Sequence, residues 1–176
     1  MFNHIKHLAA QAQNVPGDFM EIGVFRGKTF RPMADFAASL GRTIHAVDSF
    51  EGMAEPGPLD GDEYPKGKLS VGGLSEFQKL VGPCPNAVFH VGWVPEVLAE
   101  INTTLAFVHV DLDHYLPTLV ALHWAWARMS PGGILMSHDW FPGKQELASA
   151  AIQEFIDAGH KPTGTVGITH HIYWTR

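Results

Sequence analysis

Cysteine is almost absent from this chain: Cys84 stands alone in 176 residues, flanked by Pro83 and Pro85. A disulfide framework and a cysteine-based zinc site are both excluded, and a reducing, cytoplasmic setting is the expected one. Basic residues are also few. Lys and Arg number 12 against 18 Asp and Glu, and the net charge of −6 argues against a nucleic-acid surface. No apolar run approaches a membrane span, and the opening MFNHIKHLAAQAQNVPGD lacks the apolar core of a signal peptide. No membrane partner is expected. A GxGxxG turn is missing too: the glycine-bearing loop after the first apolar run reads Glu21-x-Gly23-x-x-x-Gly27, with Phe25 and Arg26 in its middle. There is no internal repeat or low-complexity tract, so one domain over 1–176 is expected.

What the chain does have is histidine, 11 in all, and two related segments, FVHVDLDHYLP (Phe107–Pro117) and GILMSHDWFP (Gly133–Pro142). Each is an apolar run that ends in acidic and histidine residues before a proline. Runs such as Leu105–Val110 and Gly133–Met136 read as strands buried on both faces of a parallel sheet. Further strands are expected at Phe19–Val24, Thr43–Val47 and Ala87–Val91. Helices are expected at 3–13, around Met33–Leu40, over Ser75–Val81, up to Glu100, from Pro117 to Met129, and over Leu147–Phe155. Ser130-Pro131-Gly132-Gly133 reads as a tight turn, and residues 161–176 as two short strands joined around Gly167–His170. The fold class is α/β: a doubly wound, mostly parallel Rossmann-like sheet with a C-terminal antiparallel hairpin. Residues 53–73, rich in Pro, Gly and acid without a period, read as a lid loop.

In such sheets ligands bind at the carboxyl ends of the strands, which would gather Asp111, Asp113, His114, His138 and Asp139 on one rim. Gly23 and Gly27 allow a ligand close to the backbone. Glu21, at the end of strand one, would repel a pyrophosphate and attract an ammonium group. Asp48, at the end of strand two, reads as a ribose acceptor or as a turn and capping residue. Ribose and an ammonium group without phosphate describe S-adenosylmethionine. Bland readings also stand: His109 as a buried hydrogen-bonded group, His170 and His171 as exposed, Trp124, Trp126 and Met129 as helix packing, Cys84 as inert. Asp60, Asp62 and Glu63 read as a solvated loop.

EIGVFRGKT, AVDSFEG, VGWVPEVL, VHVDLDHYLPTLVAL, RMSPGGILMSHDW and the terminal IYWTR, in that order, resemble the macrocin-type sugar O-methyltransferases of secondary metabolism. The resemblance implies a class I methyltransferase dependent on S-adenosylmethionine and a divalent metal, Mg or Mn, acting on a hydroxyl of a sugar or other diol. It assigns Glu21, Gly23, Phe25, Arg26, Gly27, Asp48, Ser49, Trp93 and Asp111 to the cofactor site. Asp111 and Asp139 match metal ligands, and His138 stands where an acid is usual, either as a ligand or as a partner behind one. Asp111, His138, Asp139 and His114 are the candidate catalytic groups. The partners expected are a small-molecule hydroxyl acceptor and, in a homo-oligomer, a second copy. Two rival readings are a nicotinamide-dependent oxidoreductase on a similar fold and a non-catalytic cofactor-binding domain. The long N-terminal extensions of larger relatives do not occur in this sequence.

Overall fold

Phe19, Met20, Glu21 and Ile22 are all fully buried in β1 (Asp18–Ile22), a strand covered on both faces, as its unbroken apolar run implies. The computed structural model, which describes residues 3–176, flanks it with β2 (Ile44–Asp48) and β4 (Leu105–Val110), both parallel to it. β3 (Ala87–Val91), β5 (Met129–Ser137), β6 (Gly164–Val166) and β7 (His171–Thr175) complete a seven-stranded sheet in the order β3-β2-β1-β4-β5-β7-β6. β7 runs antiparallel to both β5 and β6, so the C-terminal hairpin is where expected.

Alternate residues of each strand feed two cores. On one face α1 (Asn3–Gln11), α2 (Phe30–Ser39) and α3 (Leu74–Val81) pack Ile5, Phe30, Met33 and Phe77 against Phe19 and Phe107. On the other, α4 (Tyr115–Arg128) and α5 (Leu147–Asp157) pack Leu122, Ile152 and Phe155 against Met20, Val108 and Trp174. Each such buried side chain is worth about 1.5–3 kcal/mol. Trp124 and Trp126 belong to this second packing. The helix expected up to Glu100 is a 3-10 turn, Glu96–Glu100, and α1 stops short of residue 13.

One segment departs from its reading. Ser130–Gly133 is not a turn before the fifth strand but part of β5, bulged so that Leu105 pairs with Met129 and Phe107 with Ile134. The chain end causes this: Gly132 N–H donates to the Arg176 carbonyl and Arg176 N–H to the Gly133 carbonyl, so the excursion has ladder partners.

Between β2 and α3 there is no regular element, but the chain is not loose. Met53 N–H donates to Lys68 O at 2.8 Å and Gly67 N–H to Met53 O at 2.9 Å, pinching 53–68 into an Ω-type loop. Gly52 permits the pinch. Its φ is +90°, and a Cβ there would lie 2.5 Å from the Lys68 carbonyl.

Candidate functional site

Because β2 and β4 lie on opposite sides of β1, a crevice opens where the strand order reverses. It holds a cavity of about 310 Å³ at the carboxyl ends of these strands. Gly23, Phe25, Arg26, Asp48, Ser49, Trp93 and Asp111, expected in a cofactor site, line it. Gly23 has a further reason to be glycine: a Cβ would sit 1.9 Å from the Asp111 carbonyl oxygen, so it lets β1 and β4 close together at their ends. Gly27 does not line the cavity; its missing side chain makes room for Val81 and Phe77 of α3.

Asp48 shows the turn and capping role read for it, and it stands where a ribose acceptor is expected. It is on the cavity wall, and its carboxylate accepts from Val24 N–H (2.9 Å), Phe25 N–H (3.1 Å) and Phe50 N–H (2.7 Å), tying the loops after β1 and β2 together. Trp93 closes the far wall by donating its indole N–H to Gly52 O at 3.0 Å.

Glu21 is where the expectation of a cofactor contact is corrected. Its carboxylate is fully buried, is not on the cavity wall, and accepts from Thr29 and from His109 Nδ1 (2.8 Å). Burial pushes its pKa up against those hydrogen bonds. Thr29, which does line the cavity, is thus held from behind by Glu21, and His109 is the buried bonded group anticipated.

At the ends of β4 and β5, Asp111, His138 and Asp139 bring one donor atom each within 4.8 Å of one another. His138 Nδ1 lies 3.2 Å from Asp111 Oδ1 and 2.8 Å from Asp139 Oδ1. Burial alone would lower the imidazole's pKa, but the two carboxylates outweigh it and raise it to about 10. Burial likewise pushes Asp111 up, and His138 outweighs it, leaving Asp111 lowered. Asp139 Oδ2 is buried without a hydrogen-bond partner. Two carboxylates, one of them with an orphaned oxygen, and one imidazole fit a divalent cation, and the nitrogen suits manganese or a later metal better than magnesium. His171, expected to be exposed, is buried and packs its ring 4.7 Å from that of His138.

Asp113 lies on the cavity wall with its pKa raised to about 7, first by burial and then by Asp139 and Asp111. Next to it, His114 is spoken for: Nε2 donates to the Tyr64 carbonyl at 2.9 Å, and Nδ1 is 4.0 Å from Asp60. His114 also lines the cavity, and its bond to the loop makes it an anchor of the 53–68 segment. The reading of Asp60 is corrected. It is buried, not solvated, and accepts from Tyr115 N–H (2.6 Å) and Gly57 N–H (2.7 Å), capping α4 from the 53–68 loop. Asp62 and Glu63 are exposed as read. The capping contact spans 55 positions, so nothing local could have revealed it. A second hidden signal is backbone shape: Phe25, Phe50, Asp113, Asp139 and His170 all have positive φ, and such left-handed non-glycine residues gather at functional sites.

A family model described as "Methyltransferase domain" matches residues 20–140. The chain belongs to that methyltransferase family. It is 30% identical over 175 residues to the 8-demethyl-8-(2,3-dimethoxy-alpha-L-rhamnosyl)-tetracenomycin-C 4'-O-methyltransferase of Streptomyces olivaceus, covering 92% of this chain and 63% of that one. It is 27% identical to the mycinamicin III 3''-O-methyltransferase of Micromonospora griseorubida, covering 99% of this chain and 75% of that one. This methyltransferase-family chain therefore spans less than two thirds of the length of the Streptomyces relative. Its fold matches that of the O-methyltransferase NovP (TM-score 0.78, 23% identity, 99% and 78% of the two chains). It also matches CalS11, a calicheamicin methyltransferase (TM-score 0.81, 20% identity, 98% and 77%).

Proposed function

We propose that this chain transfers the methyl group of S-adenosylmethionine to a hydroxyl of a small acceptor, a sugar or another diol, with a divalent metal assisting. The observation that carries the reading is a shared wall. Asp111 lines the cavity and also belongs to the acidic–histidine cluster, so cofactor and metal chemistry meet at one residue. Membership of the methyltransferase family supports the methyl donor. The two relatives named above, both O-methyltransferases by name, support a hydroxyl acceptor, and the rhamnosyl group in one name supports a sugar.

Within the cavity Asp48 has a lone pair left for ribose, since three backbone N–H groups occupy only part of a carboxylate's acceptor capacity. Arg26 and Lys28 put positive charge on the wall, suited to an amino-acid carboxylate. Asp111, His138 and Asp139 would hold the metal, which would supply Lewis-acid chemistry that orients the acceptor and lowers the attacking hydroxyl's pKa. Asp113, on the same cavity wall as Asp111, takes the proton as the oxygen attacks. Holding the reactants in one cavity converts an encounter into an intramolecular step.

Incubation with methyl-labelled S-adenosylmethionine and a panel of glycosides and catechols, before and after chelation with added manganese as the control, tests the reading. Labelled ether that disappears on chelation and returns with manganese is expected. Full turnover after verified metal removal sinks the metal's part, and bound nicotinamide with no methyl transfer sinks the whole.

A further inference from the structure

Three places lie in line along the rim: the cavity over β2, β1 and β4, the Asp111–His138–Asp139 cluster between β4 and β5, and a groove of about 410 Å³ over β5, β7 and β6. The groove is bounded by Trp140, Phe141 and Pro142 on one side and Thr165, Gly167, His170 and His171 on the other. We propose that this groove is an acceptor subsite that takes a flat, uncharged ring carried by the acceptor beyond the hydroxyl being methylated. The inference rests on the methyltransferase reading above.

Position is the first support. His171 forms part of the groove and packs on His138, so a molecule held at the cluster has the groove as its next surface. Chemistry is the second. Phe141 is 38% exposed and stacks on His170 with ring centroids 4.2 Å apart, the Lys144 ammonium stands 5.8 Å from its ring centre, and the described lining residues carry no carboxylate. Rigidity is the third. Trp140 N–H donates to His170 O at 2.9 Å, and Phe141 N–H donates to Ser149 Oγ at 2.8 Å. Ser149, buried, in turn donates to the Asp139 carbonyl at 2.7 Å, so the platform is fixed relative to the cluster.

Gly167 provides the block. A Cβ there meets nothing within 4 Å and its φ is not in the left-handed region, so Gly167→Leu fills the groove without strain. The probes are 4-methylumbelliferyl and methyl β-D-glucopyranoside, followed by saturation-transfer NMR and titration. The strongest saturation should fall on the umbelliferyl ring. Gly167→Leu and Phe141→Ala should each weaken the aryl glycoside by about tenfold, a stacking contact's worth, and leave the methyl glycoside unchanged. Phe141→Tyr, which keeps the ring face, should restore it. Absence of aryl binding, or a ring signal unmoved by both variants, overturns the subsite. A parallel titration with S-adenosylhomocysteine separates the two readings. If it binds and the ring does not, only the subsite falls; if the ring binds and it does not, the methyltransferase reading falls.

Discussion

His138 and Asp139 adjoin in sequence and also bond to each other, with Nδ1 2.8 Å from Oδ1, while Asp111 reaches the same nitrogen from β4 at 3.2 Å. A proton on that nitrogen and a metal ion satisfy the same carboxylates, so each excludes the other. Manganese should therefore bind more tightly as pH rises and should release a proton on binding. Without metal the sign runs the other way. The folded imidazole titrates at about 10 against 6.5 when unperturbed, so its stabilisation is complete below about 6.5 and lost as pH rises through about 10. Thermal melts of the metal-free protein across that window should fall, and His138→Gln should flatten the fall. Manganese affinity independent of pH would remove His138 from the ligand set.

Glu21 yields a prediction that separates support from contact. Its folded pKa is raised above 4.5, so its contribution to stability is present below the unfolded value and lost as pH rises through the folded one. Glu21→Gln keeps the shape and removes the charge. The variant's melting temperature should gain on the parent's as pH rises, with S-adenosylmethionine affinity within about threefold, under 1 kcal/mol. A tenfold or larger loss of affinity would show that the carboxylate reaches the cofactor after all.

The parts of the fold that could be read from the sequence are those set by local pattern. The bounds of β3 and β4 match because each is an apolar run between turn-forming residues, and Asp111, His138 and Asp139 meet because parallel strands end together. What could not be read depends on distant partners. Ser130–Gly133 extends β5 only because Arg176 returns to pair with it. Glu21 turns inward because His109, 88 positions away, bonds it there. His114 and Asp60 are ordinary polar residues until the loop and the head of α4 meet.

That meeting predicts a defined loss. Asp60→Ala removes the cap from Tyr115 and should cost about 0.5–2 kcal/mol in denaturant unfolding. Asp60→Asn, which keeps an acceptor oxygen, should cost less. Amide exchange within 53–68 should speed up in the alanine variant, and unchanged exchange would mean that the loop is held by other contacts.

Asp113 must be ionised to accept a proton, so methyl transfer should rise with pH through its pKa, which a cation on Asp111 and Asp139 would bring below the metal-free value of about 7. Asp113→Asn should lower kcat by about 10²–10⁴ and abolish that limb of the profile, with cofactor affinity retained. A variant with the same acid limb as the parent would assign the base elsewhere.

The central claim is that the cavity between β1, β2 and β4 holds S-adenosylmethionine. Calorimetric titration of the intact chain, with S-adenosylmethionine and then with NAD, reads it most directly. Saturable binding of one S-adenosylmethionine per chain, not displaced by NAD and weakened by Asp48→Ala, is the predicted result. No heat with S-adenosylmethionine, together with saturable binding of NAD, would contradict it.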